Sequence, residues 1–447
     1  RRQRQMCIID RYIATKTPNS TVYDRTISYQ PTTPGYNVVY RGDANSGGGG
    51  TTIYVDIVAG QSGTYGAGTA LNYWYSTSPT NYGAAYLPSA LLNTPYYQMQ
   101  TLAAGATVLT INANGLSGTL TLTATSTTAQ AFTGLNATAN AVTYTLTLTP
   151  NLTLSGSSST FAAGNSTTFV NNPAPLNLAI SKTYDGNTTF TNANSYTLTG
   201  MVNSDAQPLI SGGSATTSSA NVNAYTSFAT NTLTLSNTNY TLTGGTIAAT
   251  ISQLSSVTYT GIAGGLWSDG ANWTVTSTLG SASPVTGAAP TLGNVANAVV
   301  PTGTTVAYSD TMAGLAPTSA VAIATSGAIN FTNTSALSLS ATISGTGTVS
   351  TSGAGGTITL GGANSYTGAT TVGASSTLQL GNASAIGNSS AVTVNGTLDL
   401  NSYSPTLGSL AGSGTITSSV IGAVSLTTGS ANTSTTYSGL LQDGSGT

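Results

Sequence analysis

The sequence predicts an all-β protein: small antiparallel β-rich modules followed by a parallel β-helix, a solenoid. Three observations carry this. A repeat starts at Thr357 and reads TITLGGANSYTGATTVGASS, TLQLGNASAIGNSSAVTVNG, TLDLNSYSPTLGSLAGSG and TITSSVIGAVSLTTGSAN. Leu360, Leu380 and Leu400 stand 20 residues apart, each after Thr, an apolar and a polar residue. A second short strand is expected in each unit, at 370–372, 391–394, 407–410 and 423–426. A fixed period near 20 with β-type alternation is the mark of a solenoid. Next, residues 99–175 alternate strictly. Leu116, Gly118, Leu120 and Leu122 share one face, as do Val142, Tyr144, Leu146 and Leu148, and Thr fills the other. Lastly, the net charge is only −2 and the Thr, Val and Leu content favours strands.

The solenoid follows from side-chain alternation. Ile358 and Leu360 point to one side of their strand, Thr357 and Thr359 to the other. One coil cannot bury its own aliphatic pair. Coils stacked about 4.8 Å apart pair every strand and build a continuous aliphatic column. Gly361, Gly362, Asn382, Gly396 and Asn401 fall at the expected turns, where positive φ is tolerated. About nine coils fit between 265 and 447, a stack of roughly 40 Å.

Composition excludes much chemistry. Only 4% of the 447 residues are charged, against roughly 25% in ordinary domains. There is no His and no Glu, and Cys7 is the only cysteine. That removes His-based triads, His metal ligands and intrachain disulfides. All six Arg lie at or before Arg41, and Lys182 is the only basic residue beyond it. No basic patch follows to hold nucleic acid. No apolar run reaches about 18 residues, so no membrane-spanning helix is expected.

Residues 1–11, RRQRQMCIIDR, differ in character from all that follows and read as a non-native lead-in, the alternative being a basic tail for an anionic partner. Residues 12–98 form a Tyr-rich β module, with strands expected at 36–40, 51–58 and 70–75. Residues 99–175 are the alternating antiparallel module, with Pro150, Pro173 and Pro175 marking boundaries. Residues 176–254 form a third module, in which Asp185-Gly186 makes a tight turn. A Lys182–Asp185 pair there is expected at the surface, where it contributes little. Residues 255–447 are the β-helix, cut off within a coil.

Several segments resemble known repeats. The Tyr-Gly stretch VAGQSGTYGAGTALNYWY resembles the MBG stalk repeats of bacterial surface adhesins. Tyr184-Asp185-Gly186, with NYTL and ATIS at the close of the unit, resembles the YDG repeat of filamentous-haemagglutinin-type adhesins. GLWSDGANWT and ISGTGTVSTSGAGGTITLGGANSYTGATTV resemble the opening and the β-strand repeat of autotransporter passengers. The resemblance implies a fragment of a secreted, extracellular surface protein of a Gram-negative bacterium, acting as adhesin or adhesin stalk. It implies a right-handed β-helix. It also implies a missing outer-membrane β-barrel or two-partner transporter. The partners implied are a host-cell receptor, a glycan or other bacterial cells. A purely structural, secretion-assisting spacer is the alternative.

Candidate sites are few. Arg41-Gly42-Asp43 is an RGD tripeptide beside a Gly run and is the one candidate binding motif. Trp267 and Trp273 form either a sugar-stacking pair or a cap on the open end of the solenoid. A glycan-processing enzyme would need paired carboxylates on one outer face. The solenoid acids are Asp269, Asp310, Asp399 and Asp443. Asp399 is expected to face outward beside Thr397, stacked on Gln379 and Thr359 with no second carboxylate. No catalytic residue, metal ligand or cofactor is therefore expected. The glycine pairs 355–356 and 361–362 lack the Asp that calcium-binding coils place after them.

Overall fold

The computed structural model describes residues 52–57, 60–76, 100–113, 116–126, 132, 134–154, 160–163, 166–275, 288–319, 322–353 and 355–444. These are strands, turns and two short 3-10 helices, Gly270–Asn272 and Asp310–Met312, so the fold is all-β. They divide into two compact units. The first comprises the described residues up to Asn177 with Leu198–Ile210 and Leu235–Thr246. The second comprises Leu178–Thr197, Ser211–Thr234 and the chain from Ile247 onward.

In the first unit the alternating stretch forms a meander. Val108–Ala113, Leu116–Ser126, Thr143–Leu154 and Thr167–Asn172 pair antiparallel in that order, and Ser62–Thr64 adds in parallel at the edge. Leu120, Leu122, Tyr144, Leu146 and Leu148 are buried, as the alternation requires. A second sheet is ordered Gln100–Leu102, Leu71–Ser76, Thr52–Ile57, Thr160–Ala163. Ile57, Leu71, Tyr73 and Leu102 join Leu120, Leu146 and Phe169 in one core. Gly118 crosses this pairing at φ 133°, and a Cβ there would lie 2.1 Å from the Asn151 carbonyl. Only glycine fits. Pro150 is no boundary. It lies inside Thr143–Leu154, opposite Leu120. The partner strand on the other side pairs only with Thr143–Leu146, so no ladder N–H is missed there.

The second unit opens with a parallel pair, residues 178–183 of strand Asn177–Thr183 beside Ile247–Ser252, from Leu178↔Ile247 to Thr183↔Ser252. Leu178, Ile180 and Lys182 alternate inward along it. From Leu254 the chain winds into a β-solenoid with three faces and about six turns.

The first face stacks Leu254–Tyr259, Val295–Val300, Ala322–Thr325 and Thr342–Gly345 in parallel. The second stacks seven strands: Gly265–Leu266, Thr305–Tyr308, Ala328–Phe331, Thr348–Thr351, Thr370–Val372, Ala391–Val394 and Ser409–Ala411. The third stacks Leu337–Leu339, Thr357–Leu360, Thr377–Leu380, Thr397–Asp399, Thr415–Thr417 and Leu440–Leu441. Columns run inside all three. Val257, Ala298, Ile323 and Ile343 pair in register on the first, and Ile358, Leu378, Leu398 and Ile416 on the third. All eight are buried.

Six turns replace the nine expected. The repeat is not uniform: Gly265 pairs with Val306 and Thr415 with Leu440, each one rung of the stack but more than one period of chain. The seven-stranded face therefore spans about 29 Å at about 4.8 Å per step. The last expected second strand is also displaced. Thr427–Thr428 pairs with Thr406–Leu407, while 423–426 holds no strand.

Candidate functional site

Few side chains carry chemistry, so each can be followed to its partners. Arg41, Gly42 and Asp43 lie outside the described residues. Trp267 and Trp273 do not form an open platform, since both are fully buried. Trp267 stacks on Tyr308 at 4.5 Å, Tyr308 meets Phe331 at 5.0 Å, and Trp273 sits edge-on to Trp267 at 4.6 Å. The Trp267 indole N–H donates to the Pro290 carbonyl and that of Trp273 to the Trp267 carbonyl, both at 2.8 Å. The pair heads an aromatic column that runs into the solenoid core. Its polar edges are used up internally, which leaves no face for a sugar.

Three of the four solenoid acids, Asp269, Asp310 and Asp399, are fastened to neighbouring chain. Asp269 caps Gly270–Asn272, accepting from the Ala271 N–H at 3.0 Å. Asp310 reaches across to the following turn. Its carboxylate accepts from the backbone N–H and hydroxyl of both Thr334 and Ser335. Those bonds, led by the Ser335 hydroxyl, hold its pKa far below the usual carboxylate value. Asp399 corrects the sequence reading. It lies on the outward side of its strand, stacked on Gln379 as expected, yet it is only 5% exposed. The chain after Thr417 folds over it. Gln379 Nε2 donates at 2.8 Å, the Asn401 N–H at 2.9 Å, the Ser419 N–H at 2.9 Å and the Ser419 hydroxyl at 2.6 Å. Burial pushes its pKa up, but these bonds, with the Ser419 hydroxyl foremost, outweigh it and the net shift is downward. Alternation fixed which way Asp399 points but could not show that a later loop would cover it.

Lys182 is a second correction. The pair with Asp185 forms, Nζ to Oδ1 at 2.8 Å, but Lys182 is buried rather than at the surface. Its ammonium also donates to the Asn187 side-chain oxygen at 2.7 Å, the Asn187 carbonyl at 2.8 Å and the Thr189 carbonyl at 3.0 Å. The Phe190 ring centroid lies 5.2 Å away. The expected turn is present, with Gly186 at φ 77° and the Asn187 N–H donating to Asp185.

Sequence reading missed one cluster. In the first unit Tyr65 and Tyr240 both donate to one Asp205 oxygen, at 2.7 and 2.6 Å. The rings meet edge to face at 5.3 Å. Burial first, then Asp205, push Tyr240 up to about 12, while the tyrosine hydroxyls pull Asp205 down. Asp205 carries no local motif, so only the fold brings it to two distant tyrosines.

Among the described residues, no three His, Cys, Asp or Glu side chains gather where a metal could sit. The outward side of the third face is a hydroxyl column instead, with Thr357, Thr377, Thr397 and Thr415 in register. No family model, curated protein or solved structure matches the chain.

Proposed function

We propose that this chain is part of a secreted passenger at the surface of a Gram-negative cell, where it acts as the stalk of an adhesin. One observation carries the reading: three parallel ladders enclose an aliphatic column, and Asp310 and Asp399 serve to fasten one turn to the next. A solenoid built this way gains length by adding turns, each held by its neighbours. Its outward threonines are uncharged and suit a spacer. The reading includes no enzyme, metal or cofactor.

The sequence resemblance assigns adhesion as well, with a host-cell receptor, a glycan or another bacterium as partner and Arg41-Gly42-Asp43 as the candidate contact. The resemblance also implies export through an outer-membrane barrel or a separate transporter. The two roles separate by experiment. The purified chain and its Arg41→Ala variant are applied to cultured cells and immobilised glycans. Binding lost in the variant supports a ligand-bearing adhesin; no binding by either favours the pure spacer. For the stalk itself, Leu380→Asp places a carboxylate in a fully buried column, at a cost of several kcal/mol. Fused to an outer-membrane barrel, the variant should lose surface display measured by protease accessibility. Equal display would overturn the stalk reading.

A further inference from the structure

We propose that Lys182 and Asn187 become joined by an amide bond from Nζ to Cγ, in a self-catalysed reaction promoted by Asp185. The inference rests on what surrounds Lys182, the one lysine among the described residues. An ion pair needs only the Asp185 carboxylate. Here the Asn187 carboxamide is delivered to the same amine, its Oδ1 at 2.7 Å from Nζ. The Lys182 side chain is 4% exposed, and the Phe190 ring covers it at 5.2 Å. Asn187 itself is exposed and Asp185 partly so, but holding a buried nucleophile against an acyl group replaces a bimolecular encounter with a local one.

The remaining parts of an acyl transfer are in place. Asp185 Oδ1 accepts from Nζ at 2.8 Å and can take its proton. The Thr189 N–H donates to Asn187 Oδ1 at 2.9 Å, where negative charge would develop. Nζ already reaches the carbonyl and side-chain oxygens of Asn187.

The steps balance. The Lys182 ammonium gives one proton to the Asp185 carboxylate. The freed lone pair attacks Asn187 Cγ, and the C=O electrons move to Oδ1. Collapse re-forms C=O and breaks the Cγ–Nδ2 bond. Nδ2 leaves as ammonia, taking a proton from Asp185, and Nζ releases a further proton as it becomes an amide. One ammonium becomes one amide and one ammonium ion, with no change of oxidation state. The product pins strand Asn177–Thr183 covalently to the turn that follows it.

Sequence composition supplies the assay. Lys182 is the only lysine or arginine after Arg41, and trypsin does not cut at an amidated lysine. The full chain is purified, incubated, denatured and digested. The expected product beginning at Gly42 stays uncut at residue 182, and the intact mass is lower by one ammonia, about 17 Da. Lys182→Arg keeps the charge and the cleavage site, so it should be cut there and keep its full mass. Asp185→Ala keeps both reacting groups and should slow the mass loss. Complete cleavage of the wild type after Lys182, with unchanged mass, overturns the proposal. So does an ammonia loss that persists in Lys182→Arg, because it would come from cyclisation of Asn187 on its own backbone.

Discussion

Asp399 shows how a residue on the outer side of a solenoid strand ends up inside. Its carboxylate accepts four hydrogen bonds, from Gln379, Asn401 and twice from Ser419. Asp399→Ala removes the acceptor from partly buried donors at Gln379 and Asn401 and from Ser419, which water can reach, so the cost should lie at the low end of the roughly 1–3 kcal/mol of an unsatisfied group. Chemical denaturation should report a loss in that range. The acids also set the pH response. Asp310 and Asp399 both have folded pKa values below their ordinary one. The unfolded chain therefore takes up protons first as pH falls. The stability they contribute is fully present above about pH 5 and is lost below the unfolded carboxylate pKa of about 3.9. Thermal midpoints between pH 6 and pH 2 should drop for the wild type and drop less steeply for D310N/D399N. Parallel curves would mean these carboxylates are not held as described.

At the scale of elements, Asn364 holds three turns together. The first face loses its regular strand after Gly345, and the segment around Asn364 continues it. Ser365 and Thr367 still donate to the Ile343 and Gly345 carbonyls, each at 2.9 Å. Asn364 Oδ1 accepts the Ile343 N–H at 2.8 Å, and its Nδ2 donates to the Ala385 carbonyl at 2.6 Å. The side chain thus bridges the turn before it and the turn after it. Tyr366 beside it is fully buried, its hydroxyl bonded to Thr370, which bonds Ser390 in turn. Asn364→Ala should speed amide exchange at Ile343 while leaving Ile323, one rung earlier, unchanged. Equal protection at both would sink the bridging role. The same residues mark what the sequence makes legible. The period, the strands from Thr357 to Asp399 and the inward Leu column follow from alternation, which is local. The burial of Asp399 under Ser419, the cage around Lys182 and the meeting of Tyr65, Tyr240 and Asp205 depend on loops that return from elsewhere. Periodicity does not encode those returns. The turn count failed for the same reason, because irregular loops take up chain without adding a rung.

For the whole molecule, the solenoid's stability depends on register rather than on any single site. Thr357 pairs with Thr377, and Leu360 with Leu380, along the full strand. Deleting residues 357–376 therefore places Thr377 where Thr357 stood and Leu380 where Leu360 stood. The inward Leu column stays continuous, and the Asn364 bridge is lost with the turn, Ser384 taking its place. The shortened protein should still unfold cooperatively, keep its strand content by circular dichroism, and lose one step of about 4.8 Å in length. Deleting only 357–366 removes half a turn. It brings Thr367 into the strand position and leaves Leu339 without its aliphatic neighbour at the next rung. That variant should unfold at markedly lower temperature and be digested during surface display. A stalk whose function is length tolerates the first deletion in display and fails with the second. If both deletions were tolerated equally, stacking in register would not be what holds the chain. If both abolished display while the first still folded, the removed turn would carry a specific function, and the spacer reading would give way to a ligand site on the face bearing Thr357, Thr377 and Thr397.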